Sequence, residues 1–411
     1  MDLTVLDLFC GAGGLSLGFK WAGFDAVLAV DNFAPALNTY NANLGQHAQS
    51  IDLSDSNVRL PSTCVLTGGP PCQGFSSAGA RRNGDSRNSL VSSFAMAIVR
   101  LRPTAFVFEN VEGFLTAENG ARVFDLLTPV LSAGYRVHLR KVNAANYGVP
   151  QHRKRVIAIG GLGFDPTFPS PTHTAFGAPG ALLASKHLPL APTVLEAIGD
   201  FSCPDPDPPG IPQGHFCRPL EGLDLERALA LSPGMTMRDL PDSLHHESYR
   251  RRAFRRVMDG TPTERRGGAP AGVRRLKPDE PSKAITGGAR SEFLHPVQNR
   301  PLTLRECARL QTFPDEFEFF GTQSEQGQLI GNAVPPMFGF AIATNLAADI
   351  RRNEGSKETS RGALLSFEPT LSEGYSPVLR NVTDEVLEKY KRFGVQPMLT
   401  LWGEDRAEGM E

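Results

Sequence analysis

LTVLDLFCGAGGLSLGF, residues 3 to 19, is an apolar run that stops in a glycine-rich turn and resumes as a helix-like stretch. A buried strand turning through Gly11, Gly13 and Gly14 into a helix is the opening unit of a parallel sheet with helices on its faces. The helix N-terminus above such a turn is also where an adenosine-bearing cofactor meets a doubly wound sheet. The alternation continues outward. AVLAVD (26–31), STCVLTG (62–68), TAFVFEN (104–110), YRVHLRKV (135–142) and RKRVIAIG (153–160) read as further strands between helix-like stretches. The expected fold class is α/β, with a doubly wound, mostly parallel, Rossmann-like sheet.

The pattern breaks near residue 165, where prolines crowd 166–171 and 204–212, so a second domain or an irregular insertion is expected there. Helical patterning returns at TLRECARLQTF (303–313), where Thr303 and Glu306 make a capping box and Pro314 is expected to end the helix. It continues through PPMFGFAIATNLAADIRR (335–352). The tail from 353 to 411 holds eleven acidic residues against seven Lys and Arg, with one expected helix at VTDEVLEKYKRF. Three roles are open to this tail: packing on the catalytic domain, binding a partner, or disorder. If it is peripheral, its deletion spares activity.

Composition narrows the class. A chain of 411 residues with 40% apolar content can bury a large core, and its apolar runs read as too short to cross a bilayer. The N-terminus lacks the basic start of a signal peptide, so a cytoplasmic protein is expected. Six cysteines without a CxxC pair argue against a disulfide framework or a structural metal, and His245 and His246 have no cysteine at ligand spacing. The net charge of -2 means that any nucleic-acid footprint must be local.

Two constellations carry chemistry. In the first, Asp31 ends the second strand and can accept hydrogen bonds from ribose hydroxyls, while Asp52 can take an adenine amino group. Ser16 stands where a dinucleotide fingerprint wants its third glycine, which weakens a nicotinamide-dehydrogenase reading. In the second, GGPPCQGFS (68–76) places Cys72 in a stiff Pro-Pro-Cys loop just after a strand, the address of a nucleophile. Glu109 and Asn110 end another strand on the same expected rim, where a partly desolvated acid can hold a proton for a base ring. Gln151, Arg153 and Arg155 alternate with His152, Lys154 and Val156, so both arginines are expected on one side of a strand.

The ordered set DLFCGAGG, GGPPCQGFS, ENV, QHRKRV, RPLTLRECARLQTFP and GNAVPP closely resembles the cytosine-5 DNA methyltransferase family of bacterial restriction-modification systems, over about 1–160 and 300–345. The resemblance implies transfer of a methyl group from S-adenosylmethionine to carbon 5 of a cytosine flipped out of duplex DNA. It implies that Cys72 adds covalently to carbon 6, that Glu109 serves ring nitrogen 3, and that Arg155, with Arg153 close by, holds the ring oxygen and the site's charge. Phe9, Gly11, Gly13, Asp31, Asp52, Gly69, Pro71, Leu90, Asn332 and Ala333 are the implied cofactor residues, and no metal is implied. Ser76, Arg81 and Arg82 fall in a Gly/Ser/Asn-rich stretch suited to close over the base. The segment read as target recognition carries ten Lys and Arg against three acids between 245 and 277, with Arg251 and Arg255 as candidate DNA contacts.

The implied organisation is a catalytic and cofactor domain over 1–165 and a target-recognition domain with hinge segments over 166–322. A returning helix over 323–352 and the extension 353–411 complete it. Double-stranded DNA and a cognate restriction endonuclease are the implied partners of a monomer that protects host DNA. A transfer-RNA cytosine-5 methyltransferase and a DNA-binding protein without catalysis are the alternatives. Cys72, Glu109 and Arg155 together argue against the second of these, because binding alone needs no thiol.

Overall fold

The computed structural model describes residues 2–53, 55, 58–71, 90–174, 187–201, 213–247, 249–250, 272–354, 362–369 and 376–394. Eight strands form its main sheet: β1 (Thr4–Leu8), β2 (Asp25–Asp31), β3 (Ala48–Ser50), β4 (Val65–Gly68), β5 (Ala105–Val111), β6 (Tyr135–Asn143), β7 (Lys154–Leu162) and β8 (Leu364–Glu368). They lie in the order β8-β6-β7-β5-β4-β1-β2-β3, all parallel except β7, which runs antiparallel to both β5 and β6. Connections diverge on either side of the β1/β4 pair, so the switch point of the sheet lies there.

Alternation along the buried strands sends side chains to two separate cores. On one face Leu6, Leu66, Phe106 and Phe108 pack with Phe94 of α3 (Leu90–Leu101) and Leu126 of α4 (Ala121–Ser132). On the other, Val5, Val65, Val107 and Ile157 meet Phe19 of α1 (Gly14–Trp21). A third cluster joins Tyr40 and Leu44 of α2 (Ala34–Leu44) to Leu304 and Leu310 of α5 (Leu304–Leu310).

α5 begins with the expected Thr303–Glu306 capping box, but it ends at Leu310, before Pro314. Thr312 adopts a left-handed φ of 65°, so the chain turns out of the helix before the proline is reached. The stretch read as one returning helix is two, α6 (Gln323–Asn332) and α7 (Pro336–Asn353), broken at Ala333 to Pro335. By length and composition alone Gln323–Asn353 is apolar enough to cross a membrane. Two thirds of its most apolar window is buried inside the fold, as expected of a core helix. α7 lies directly on α1, and a Cβ on Gly18 would come within 2.4 Å of the Phe340 backbone nitrogen.

The acidic tail also packs on the domain. Its residues 364–368 form β8, which pairs in parallel with β6 from Leu364↔Arg136 to Glu368↔Arg140. Helix α8 (Pro377–Tyr390) starts five residues before the expected helix, with the Ser376 hydroxyl accepting from the Leu379 backbone. Its residues Leu379, Val382, Val386 and Tyr390 complete the core over α3 and α4.

Candidate active site

Strand register brings the site together. Leu8 is level with both Val30 and Gly68, and Gly68 with Phe108. The residues that follow, Phe9, Asp31, Gly69 and Glu109, therefore leave the sheet side by side at its carboxyl rim. A cavity of about 580 Å³ opens there, lined by Phe9, Gly11, Asp31, Asp52, Gly69, Pro71, Leu90, Glu109, Asn332 and Ala333. Of the residues expected to hold a cofactor, only Gly13 is not on its wall. Gly13 instead turns the loop at φ 89°, against Tyr40 and Leu44.

The wall is built for a polar, ring-bearing ligand. Asp31 accepts from the backbone nitrogens of Gly11 at 2.9 Å and Phe33 at 3.0 Å, which fixes its carboxylate at the rim. Gly11 has φ 54°, and a Cβ there would meet nothing within 4 Å, so the backbone is bare toward open space. Phe9 holds φ 63°, a strained conformation for an aromatic residue, and its ring lines the cavity.

Beneath the loop lies a polar cluster that sequence reading missed. Asp7 is buried in β1, and its carboxylate accepts from Ser16 Oγ at 2.5 Å and Thr67 Oγ1 at 3.0 Å. Burial pushes its pKa up to about 6, against the two hydroxyls that pull it down. Ser16, noticed only as a missing glycine, is this carboxylate's partner. The one signal was the charge itself, an aspartate inside an apolar strand. Cys10 above it is a packed thiol, held far up by burial and by Asp7.

Because the folded state holds the Asp7 proton more tightly than the unfolded chain, stability is lost as pH rises from about 4 through 6 and is then level. Ionised Asp7 costs the ligand-free protein about 3 kcal/mol, an order-of-magnitude figure from a shift of about two units. Asp7→Asn should therefore gain stability relative to the wild type as pH goes from 4 to 7, measured by denaturant unfolding. A difference that is flat with pH would contradict this.

The other wall holds the acid. Arg155 Nε lies 2.7 Å from Glu109 Oε1 in an ion pair that is largely out of water. Glu109 Oε2 faces Gly69 so closely that a Cβ there would sit 3.0 Å away. Asn110 Nδ2 donates to the Pro70 carbonyl at 2.8 Å and pins the Pro-Pro turn beside the acid. Cys72, one residue past the described segment, lies outside the described residues, as do Ser76, Arg81, Arg82, Arg251 and Arg255.

Arg153 is near enough to feel the charges of Arg155 and Glu109, but its guanidinium is committed to main-chain carbonyls. The strand begins only at Lys154, so the alternation read from sequence does not carry through Arg153. Its buried guanidinium donates to the main-chain carbonyls of Ile285 and Gly331, each at 2.8 Å. Gln151 donates to Leu310 O at 2.7 Å and accepts from Ile285 N at 3.0 Å. Together they tie the 285 segment and the end of α6 to the sheet. In the basic stretch, Arg275 is likewise internal, donating to Leu231, Ala228, His295 and Gln298 carbonyls, so it is neither solvated nor a phosphate contact. Among the described residues no group of three or more His, Cys, Asp or Glu gathers as a metal site.

The sequence profile described as C-5 cytosine-specific DNA methylase matches residues 3–174 and 236–348. The chain belongs to that family. This C-5 cytosine-specific DNA methylase is 36% identical over 355 residues to the type II methyltransferase M1.HphI of Haemophilus parahaemolyticus, covering 84% of this chain and 86% of that one. It is 33% identical to the type II methyltransferase M.AgeI of Thalassovita gelatinovora, covering 85% of this chain and all of the other. Among solved structures it is similar to a prophage-encoded E. coli protein assigned as a DNA modification methyltransferase, with TM-score 0.62, 25% identity and coverage of 85% and 100%. The methylase profile stops before β8, so the strand and helix that close the sheet lie outside its match.

Proposed function

We propose that this methylase acts on one short recurring sequence of duplex DNA, methylating carbon 5 of a cytosine through a covalent bond to Cys72. The observation that carries this reading is the Arg155–Glu109 pair at the mouth of an adenosine-sized cavity, beside the pinned turn that leads into Cys72. S-adenosylmethionine, when bound along Phe9, Asp31 and Asn332, supplies an electrophilic methyl group.

Carbon 5 of cytosine is a poor nucleophile until a thiolate adds to carbon 6. The sulfur–carbon 6 bond pushes electrons to carbon 5, and Glu109 meets ring nitrogen 3, where the charge of the adduct would otherwise build. Arg155 orients Glu109 and faces the ring oxygen. When carbon 5 takes the methyl group the donor leaves as S-adenosylhomocysteine; the carbon 5 proton then goes to a base, its electron pair re-forms the 5,6 double bond, and the sulfur–carbon 6 bond breaks to release the thiolate. Arg153 acts as a positioning residue through the Ile285 and Gly331 carbonyls. A base inside a duplex cannot reach this rim, so the cytosine is extruded at a cost of a few kcal/mol. Ser76, Arg81 and Arg82 are suited to close over it, and Arg251 and Arg255 to contact the backbone.

We assign 1–165 to catalysis and 166–322 to target recognition. Cytoplasmic location, a monomeric state and protection of host DNA against an endonuclease of the same specificity are part of the same proposal, and the relatives' names support only its type II methyltransferase character. The test is transfer of a labelled methyl group to unmethylated DNA and to unmodified transfer RNA, with base-resolution mapping. Label on cytosines of one recurring DNA sequence supports the reading, and label on RNA alone overturns it.

A further inference from the structure

Both main-chain groups of Ile285 are tethered to the end of α6. The Ile285 carbonyl accepts from Arg153 Nη1 at 2.8 Å, and Arg153 Nη2 donates to the Gly331 carbonyl at 2.8 Å. The Ile285 N–H donates to Gln151 Oε1 at 3.0 Å, Gln151 Nε2 donates to Gln311 Oε1 at 2.8 Å, and Gln311 Nε2 donates to the Ile330 carbonyl. Two bridges therefore run side by side from one residue to two neighbours in α6. The segments they join also touch directly, since a Cβ on Gly331 would come within 2.2 Å of the Gly287 nitrogen.

Each end of the bridges leads to a site. Gln328, Leu329, Asn332 and Ala333 flank the tethered carbonyls and line the cavity at the carboxyl rim. Ile285 leads through Gly287 and Gly288 to Phe293–Leu294, which pairs with Arg274–Arg275 in the segment assigned above to target recognition. The connection is stiff. Gln151, Arg153 and Gln311 are all buried, and burial with the nearby Arg155 charge holds Arg153 well below the usual arginine range. In such a medium a guanidinium that lost either carbonyl would leave buried polar groups unpaired, so the two ends move together.

We infer that Arg153, seconded by the Gln151–Gln311 relay, couples the cofactor site to target recognition, so that cofactor bound along Asn332 and Ala333 strengthens the hold of the 285–292 segment on DNA. The inference rests on the DNA-methyltransferase reading proposed above and makes Arg153 a positioning residue for two sites at once. A cofactor against 328–333 fixes the end of α6, and the bridges extend that order to Ile285. DNA then meets a recognition segment that is already ordered, which is positive coupling without a change of shape. Coupling of this kind is reciprocal, so DNA tightens cofactor binding by the same factor.

The test is the affinity for duplex DNA carrying the mapped methylation site, with and without S-adenosylhomocysteine, for the wild type and Arg153→Lys. The wild type should bind about fivefold or more tightly with S-adenosylhomocysteine present. In Arg153→Lys, whose single ammonium cannot span both carbonyls, that ratio should fall close to one. A loss of stability alone would weaken both affinities and leave their ratio as in the wild type. Hydrogen exchange on the wild type needs no variant: S-adenosylhomocysteine should slow amide exchange at 285–292 as well as at 328–333. Protection confined to 328–333, a wild-type ratio near one, or an Arg153→Lys ratio equal to that of the wild type would each overturn the coupling. A wild type that binds neither S-adenosylhomocysteine nor DNA would overturn the underlying reading instead.

Discussion

Cys72→Ala is expected to lower methyl transfer by about 10⁴-fold or more, the scale on which enzymes lose their covalent nucleophile, while leaving DNA and cofactor binding largely intact. The size of the loss follows from the chemistry. Glu109 and Arg155 can polarise a cytosine through hydrogen bonds alone, but polarisation does not make carbon 5 nucleophilic, and only addition at carbon 6 does. Asn110, which fixes the Pro70 carbonyl, and Gly69, which admits Glu109 Oε2, set the acid and the Pro-Pro-Cys turn side by side. A thiol removed from this turn leaves the binding surfaces in place. Steady-state methylation and equilibrium binding on the same preparation check the prediction, and substantial residual turnover would rule the covalent route out.

Truncation after Asn353 is expected to remove the folded protein rather than a peripheral tail. Leu365, Phe367, Leu379, Val382, Val386 and Tyr390 are all buried in the core shared with α3 and α4. Each such side chain contributes roughly 1.5–3 kcal/mol of burial, so six together rival the roughly 5–15 kcal/mol that keeps a whole domain folded. Tyr390 Oη also bonds Thr128 Oγ1 at 2.7 Å, and Val382 fills the space above Gly120, where a Cβ would come within 2.6 Å of it. The milder Phe367→Ala should cost about 3–5 kcal/mol in denaturant unfolding. A truncated chain that stays soluble and active would show that the strand and helix merely decorate the sheet.

The sheet and its rim were legible because they rest on local signals. Apolar runs ending in DLFCGAGG, VD, GGPPC and EN mark four strand ends, and parallel register then places Phe9, Asp31, Gly69 and Glu109 level. What was not legible depends on partners distant in sequence. LLSFE is five residues in an acidic tail, and nothing local announces that it pairs with β6, which begins some 230 residues earlier. Arg153 reads like Arg155 by alternation, and the break before Lys154 that turns its guanidinium to the Ile285 carbonyl has no local signal. Arg275 reads as part of a basic footprint, yet it is spent on buried carbonyls. Ser16 looks like a defect in a glycine motif until Asp7 is found beneath it.

Trapping on DNA that carries 5-fluorocytosine at the methylated position tests the central claim most directly. Fluorine cannot leave carbon 5 as a proton does, so the adduct stalls after methylation with its sulfur–carbon 6 bond intact. The expected result is a denaturation-resistant protein–DNA complex that needs S-adenosylmethionine and whose cross-linked peptide contains Cys72. A preparation that methylates ordinary DNA but yields no such complex, or one joined through another residue, would contradict the account.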